Sequence, residues 1–300
     1  MLSAGGVALI RLRARWLLIL PVAFGPAAAL GQWQTELEGA LVYDDNLPRA
    51  QNASDIVSDY GAVLRAGIGR TFDAGDHGDF HLSFDGRALR YVNYEGASVA
   101  SLGGSAGYRR KLGLGLTAPR LAADVTAAVE DSPTAVRDGY RDGALISLGK
   151  RFDERLEASL AGAWEQRVQR NAEPVVPGIP GDPFTLQSRS LSARGSYLVA
   201  NRTALTGSLA GRWGDVVSST RRNPQIFAQS AAIAPDPAFG ADYIAYRLTG
   251  ASTASFGAGI SYDFHRHASI EASVNLDSTR ARGGLDYDVH TFALTVVWRP

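Results

Sequence analysis

The sequence predicts an all-β fold, a membrane-spanning antiparallel up-and-down β-barrel of about twelve strands, and three observations carry that expectation. From Gln32 onward apolar side chains recur at every second position, the period of a strand and not of a helix. Several of these apolar faces end in tryptophan or another aromatic, as side chains at a membrane interface do. The links between runs tend to alternate between tight turns and long polar loops, the connectivity of an outer-membrane barrel.

The first segment is of a different kind. Arg11, Arg13 and Arg15 precede the apolar run Trp16 to Phe24 and the small residues Gly25 to Gly31, so residues 1–31 read as a cleaved signal peptide. That apolar core falls short of the ~20 residues a spanning helix needs and is broken by Pro21. Residues 32–300 are then the barrel.

Composition agrees. Glycine occurs 33 times, methionine once and cysteine never, which suits an all-β chain crossing an oxidising compartment and excludes disulfides and thiolate metal sites. Lys+Arg and Asp+Glu balance at 30 each, so there is no basic excess to attract nucleic acid.

Strand ends set at turn signals fall near 32–46, 59–73, 79–94, 98–112, 119–131, 139–152, 155–170, 185–200, 203–217, 243–264, 268–280 and 285–300. The alternation is clearest where Leu156, Ala158, Leu160, Gly162 and Trp164 oppose Glu157, Ser159, Ala161, Ala163 and Glu165. It recurs from Leu205 to Trp213 and from Ile270 to Leu276. The tight turns at Asp153–Glu154, Asn201–Arg202 and His265–His267 are assigned to the periplasm. The long links 47–58, 171–184 and 218–242 are assigned to the outside, with Trp164, Trp213 and Trp298 facing lipid.

With the apolar face turned to lipid, the other face lines a lumen. Its charged residues are Glu36, Glu38, Arg65, Asp85, Arg87, Asp124, Glu157, Arg194, Arg212, Arg247, Glu271 and Asp277. Of these, Arg65, Asp85, Arg87, Glu157, Arg212 and Glu271 are the candidates for shaping what passes. Their signs are roughly equal, seven acidic to five basic, which suits ion pairs across the lumen and argues against a channel dedicated to acidic oligosaccharides. Twelve strands lie between the eight that side chains fill and the 16 to 18 that leave an aqueous channel.

Other chemistry is sparse. His77, His265 and His267 fall in turns. His81, Ser83 and Asp85 share one strand face, but a spacing of two residues holds neighbours about 6.5–7 Å apart, too far for a direct relay. Asp44, Asp45 and Asn46, with Asn52 and Asp55 beyond, offer oxygen ligands for a cation such as Ca²⁺, although Asx residues at a strand end are also ordinary turn formers. No cofactor is expected. The loop 218–242 exceeds the usual limit of about 12 to 15 residues, as loops that fold over a barrel or meet a partner do.

The segment Leu41-Val-Tyr-Asp-Asp-Asn-Leu-Pro-Arg-Ala, followed by Ser58-Asp-Tyr and the Arg65 to Phe72 strand, resembles the opening of two groups of proteobacterial barrels. One comprises the β-barrel porins associated with capsule and exopolysaccharide export; the other is the C-terminal barrel of the surface lipoprotein assembly modifiers. This chain lacks the helical-repeat domain that precedes the barrel in the second group, and it is shorter than expected of the first. Phe292, Leu294, Val296 and Trp298 also resemble the strand by which the barrel-assembly machinery knows its clients, with Pro300 where a terminal aromatic is usual. The resemblance implies a passive or gated outer-membrane channel for saccharides or other small polar solutes, with no catalytic residues. The alternatives are an export or assembly factor binding a protein through its outer loops and, third, a lipid-acting barrel enzyme. The expected partners are the bilayer, the barrel-assembly machinery and a saccharide or protein, but no nucleic acid.

Overall fold

A computed structural model describes residues 33–75 and 77–300; the expected signal peptide, 1–31, lies outside the described residues. The strands are β1 (Trp33–Asp44), β2 (Asp59–Asp73), β3 (Gly78–Tyr91), β4 (Val99–Lys111), β5 (Arg120–Asp131), β6 (Gly139–Arg151), β7 (Leu156–Gln169), β8 (Leu186–Ala200), β9 (Thr203–Arg221), β10 (Ala232–Pro235), β11 (Tyr243–His265), β12 (Ala268–Ala281) and β13 (Leu285–Trp298). One four-residue helix, α1 (Pro224–Phe227), precedes β10.

Every ladder is antiparallel, and β1 pairs with both β2 and β13 while β9 pairs with both β8 and β11. The twelve long strands therefore close on themselves, and short β10 sits outside the ring. Twelve strands and the up-and-down order are what the sequence predicts. Closure gives every long strand a hydrogen-bonding neighbour on each side, the only way a sheet can satisfy its backbone in hydrocarbon.

Register sets the size. The pairs step from Trp33 to Arg70, Leu82, Ala106 and Val125, and so on round to Asp286 of β13; the row then meets β1 again about 16 residues further along. With strands ~4.7 Å apart and a rise of ~3.3 Å per residue, that stagger corresponds to a tilt of about 43° and a backbone radius of about 12 Å.

One end carries short turns, including Phe152–Arg155, Asn201–Arg202 and Arg266–His267. The Asp153 carboxylate shapes the first of these, accepting hydrogen bonds from the Arg155 and Leu156 amides, both at 2.7 Å. The other end carries the links 45–58, 92–98, 132–138, 170–185, 222–242 and 282–284.

The outer surface is apolar. Leu41, Leu64, Phe84, Leu102, Ile146, Leu160, Leu191, Leu209, Phe256 and Leu294 all stand exposed around the ring, an arrangement that water does not tolerate and lipid does. Aromatics gird both margins. At the turn end Phe80 packs on Tyr108 at 4.9 Å, and the Arg70 guanidinium lies 5.8 Å from the Trp33 ring and 4.9 Å from that of Phe72. Tyr43 packs on Tyr60 at 4.8 Å toward the loop end. Trp213 and Trp298 point outward and are about half exposed.

Two strands overshoot the ring. β9 runs 19 residues and β11 runs 23, and the sequence reading of 218–242 as loop misses both the last residues of β9 and β10. Above the rim β12 no longer flanks β11, and β10 takes its place by pairing Ala232 with Arg247 through Pro235 with Ile244. Unpaired amides of the protruding hairpin would otherwise be left in the buried cap. A bulge changes the facing of this hairpin. The β9–β11 register shifts between Leu248 and Ala251, and Gly214 opposite has φ of 150°. A Cβ there would lie 2.2 Å from the Gln187 carbonyl oxygen, so only glycine fits. Above the bulge Val216, Tyr246 and Leu248 turn inward and pack with Ile226, Ile233 and Leu285.

Candidate functional site: the lumen and its cap

The lumen is built from the inward-facing positions of the twelve strands, and over much of its length these are small. Gly67 and Gly69 of β2, Ser83 of β3, Gly103, Ser105 and Gly107 of β4, and Thr126 of β5 share the inner face through their register. Across the ring stand Ser190 and Ser192 of β8, Thr206 and Ser208 of β9, and Gly257 and Gly259 of β11. A backbone radius of about 12 Å with only such side chains on it leaves a bore on the order of 12 Å across.

The predicted lumen residues interrupt this wall. Arg65 and Asp85 lie on adjacent strands and form an ion pair at 3.4 Å, and Glu157 pairs with Arg151 at 3.6 Å near the turn end. Glu271 faces Arg194, Thr206, Ser208 and Asn275 around a shallow recess. Arg87 and Arg212 lie higher, facing a cavity under the cap. His81 does not meet Ser83: its Nε2 is 2.6 Å from Asp124 Oδ1 of β5, while Ser83 Oγ lies 2.7 Å from Ser105 Oγ. Gly107 makes room for that histidine pair, since a Cβ there would fall 2.4 Å from both Asp124 Oδ1 and the ring.

The acidic strand end that offered oxygen ligands is spent on hydrogen bonds. Asp44 accepts both terminal nitrogens of Arg49 at 2.8 Å and the Asn46 amide at 3.0 Å. Asp45 accepts the His290 amide at 2.7 Å, with Nδ1 of that ring 2.6 Å away. Asn46 bridges the Ala50 and Asp288 carbonyls. Together they fold the first long link over the mouth, and Arg49 adopts φ of 59° at its tip. Burial pulls the Arg49 pKa down, but the hydrogen bond and charge of Asp44 outweigh it and hold the guanidinium above its ordinary value.

The cap closes from several sides. The Pro48 carbonyl accepts the Ser219 amide at 2.8 Å, pinning the first link to β9. Asp236, fully buried just after β10, accepts Ser219 Oγ at 2.5 Å and Arg137 of the 132–138 link at 2.6 and 3.1 Å. The Arg137 guanidinium lies between the Phe184 and Phe239 rings, 4.7 and 5.2 Å from their centres. Deeper, Arg167 donates to Glu130 at 2.7 Å, to the Phe184 carbonyl at 2.9 Å and to the Arg137 carbonyl. Arg141 donates to Glu130 at 2.8 Å and to Glu165 at 3.0 Å.

Beneath this cap lies a cavity of about 410 Å³ whose wall carries Arg49, Arg87, Arg137, Arg141, Arg167 and Arg212 but only Glu130. Counting charges along the chain hides this concentration. Glu130, Arg141, Glu165 and Arg167 sit on inward positions that alternation alone marks. Arg49, Arg137 and Asp236 come from loops, where no periodic signal exists.

No family model and no curated protein matches the chain. Among solved structures it is similar to an outer-membrane channel from Pseudomonas putida F1, with a TM-score of 0.55 and 13% identity over 91% of this chain and 97% of that one. The Pseudomonas putida toluene transporter TodX gives a TM-score of 0.45 at 13% identity over 91% and 90% of the two chains. The outer-membrane channel DcaP of Acinetobacter baumannii gives 0.41 at 9% over 90% and 96%. The first of these likenesses supports the fold alone, a closed antiparallel β-barrel shared with a solved outer-membrane protein. Within that class of fold this chain forms a ring of twelve long strands.

Proposed function

We propose that the chain is a gated outer-membrane channel passing saccharides or other small polar solutes, with its long links outside and its tight turns in the periplasm. The observation that supports it is a contrast along the lumen. A bore walled largely by glycine, serine, alanine and threonine, interrupted by charged pairs such as Arg65–Asp85, lies behind a mouth closed by loops. Small hydroxyl-bearing side chains leave water-filled space and hydrogen-bond to hydroxylated solutes. The closure hangs on a few ties, chiefly Asp236 to Arg137 and Ser219.

The test is planar-bilayer recording of the refolded chain from residue 32. Wild type is expected to conduct intermittently, and Asp236→Ala to raise its open fraction several-fold. Replacing residues 223–241 by a short Gly-Ser link should hold it open, because Arg221 and Tyr243 are register partners that a tight turn can join. Absence of current in all three proteins would end the channel reading.

A further inference from the structure

Two of the cap arginines differ from the rest. Arg49, Arg137, Arg141 and Arg167 each have a carboxylate within 4.0 Å, whereas among the described residues Arg87 and Arg212 have none. Arg212 donates only to the Asp215 carbonyl at 3.1 Å. Both face the same cavity. β3, which carries Arg87, and β9, which carries Arg212, stand six strands apart in either direction round the ring of twelve, so they face each other across the lumen. The cavity thus has an uncompensated guanidinium on each of two opposed strands, and Tyr91 and Tyr287 are among the other residues that line it.

From this geometry we propose, building on the channel reading, that the cavity is a binding station for a small hydroxylated carboxylate of sugar-acid size. Its volume suits one such molecule. A carboxylate matches the planar fork of a guanidinium in a two-point contact, and the opposite guanidinium attracts whichever end arrives second. Four cap arginines are neutralised by Asp44, Glu130, Glu165 and Asp236, so the site's net charge belongs to Arg87 and Arg212. A wall of mixed charge therefore carries a cationic stretch beneath the cap, and local field rather than net charge decides which ions are drawn in.

The experiment is calorimetric titration of the detergent-solubilised barrel with glucuronate and, separately, with glucose. Glucuronate is expected to bind at least tenfold more tightly than glucose and to weaken steeply as salt rises. Arg87→Ala with Arg212→Ala should abolish that preference, while Arg87→Lys with Arg212→Lys should keep its salt-sensitive, charge-driven part and lose the part owed to the two-point contact, which separates lost charge from misfolding. Equal binding of the two sugars, or an unchanged preference in the alanine pair, overturns the proposal. Binding is read without current, so a barrel that binds glucuronate but never conducts fails only as a channel. One that conducts without discriminating fails only as this site.

Discussion

Arg167→Met tests whether the cap is held by the charge network. The side chain of Arg167 is 10% exposed and donates to Glu130, to the Phe184 carbonyl and to the Arg137 carbonyl. It thereby ties β5 and two loop-end links to β7. Hydrogen bonds to a charged group contribute roughly 1.5–3 kcal/mol each, and breaking a buried pair costs about 3–5 kcal/mol. Methionine keeps most of the apolar stem packed, Glu130 keeps Arg141, and the freed carbonyls rehydrate as the links loosen. The cost therefore falls near the lower figure, about 3 kcal/mol, or on the order of 100-fold in the opening equilibrium of the cap.

Amide hydrogen exchange reads this directly, since loss of a local tie raises exchange locally. The Phe184 amide, bonded to Gln169 Oε1 at 2.9 Å, and the Asp138 amide, bonded to the Ala135 carbonyl at 3.1 Å, should lose protection. Amides of β12 and β13 should not. Adding Glu130→Gln to the variant should cost less than the two changes summed, because the pair is already broken. A change under threefold at Phe184 and Asp138 would refute the idea that the network closes the mouth.

Other consequences can be measured on the same refolded barrel. Leu209→Arg places a charge on an outward position that is 61% exposed, so insertion into vesicles should be disfavoured by about 2–4 kcal/mol if that face meets lipid; insertion as efficient as wild type in a urea-dilution assay would count against it. Gly107→Ala forces a methyl group onto the His81–Asp124 pair and should lower stability by about 1–3 kcal/mol, seen as earlier unfolding in heat-shifted electrophoresis, with Gly162→Ala, whose added Cβ meets nothing within 4 Å, as the neutral control. The Asp153 carboxyl is held below its usual value by the Arg155 and Leu156 amides. Its contribution is present above the unfolded pKa of about 3.9 and vanishes as pH falls through the lower folded value, so protection of those two amides should persist at pH 5 and fade only below the ordinary carboxylate range.

The wall of the barrel was legible because hydrocarbon outside and water inside impose opposite demands on alternate residues. Leu156 to Trp164 reads as a strand with one fate per face, and the structure gives it that fate. The cap was not legible for the same reason. Above the rim neither solvent is uniform, β9 and β11 shift phase at Gly214 and Ala251, and Tyr246 and Leu248 become core without any periodic announcement. Arg87 and Arg212 were visible as inward cations, but their isolation was not. Their neighbours Arg49 and Arg137 are neutralised by Asp44 and Asp236, and Asp236 meets Arg137 only because links distant in sequence fold together over the cavity.

The ladder between β1 and β13 differs from the others. It joins Leu37–Asp44 to Thr291–Trp298 through eight register pairs, fewer than the twelve between β1 and β2, and its partners are some 250 residues apart where most others are hairpins. The entropy of bringing those ends together is the largest in the fold, growing as the logarithm of the span. Seam formation should therefore set the pace of folding, with a curled sheet of preformed hairpins waiting on one encounter. The Arg299 side chain, donating to Glu36 at 2.7 Å just past the last register pair, acts as a clasp for that encounter: losing it should slow closure while leaving each hairpin as quick to form as before.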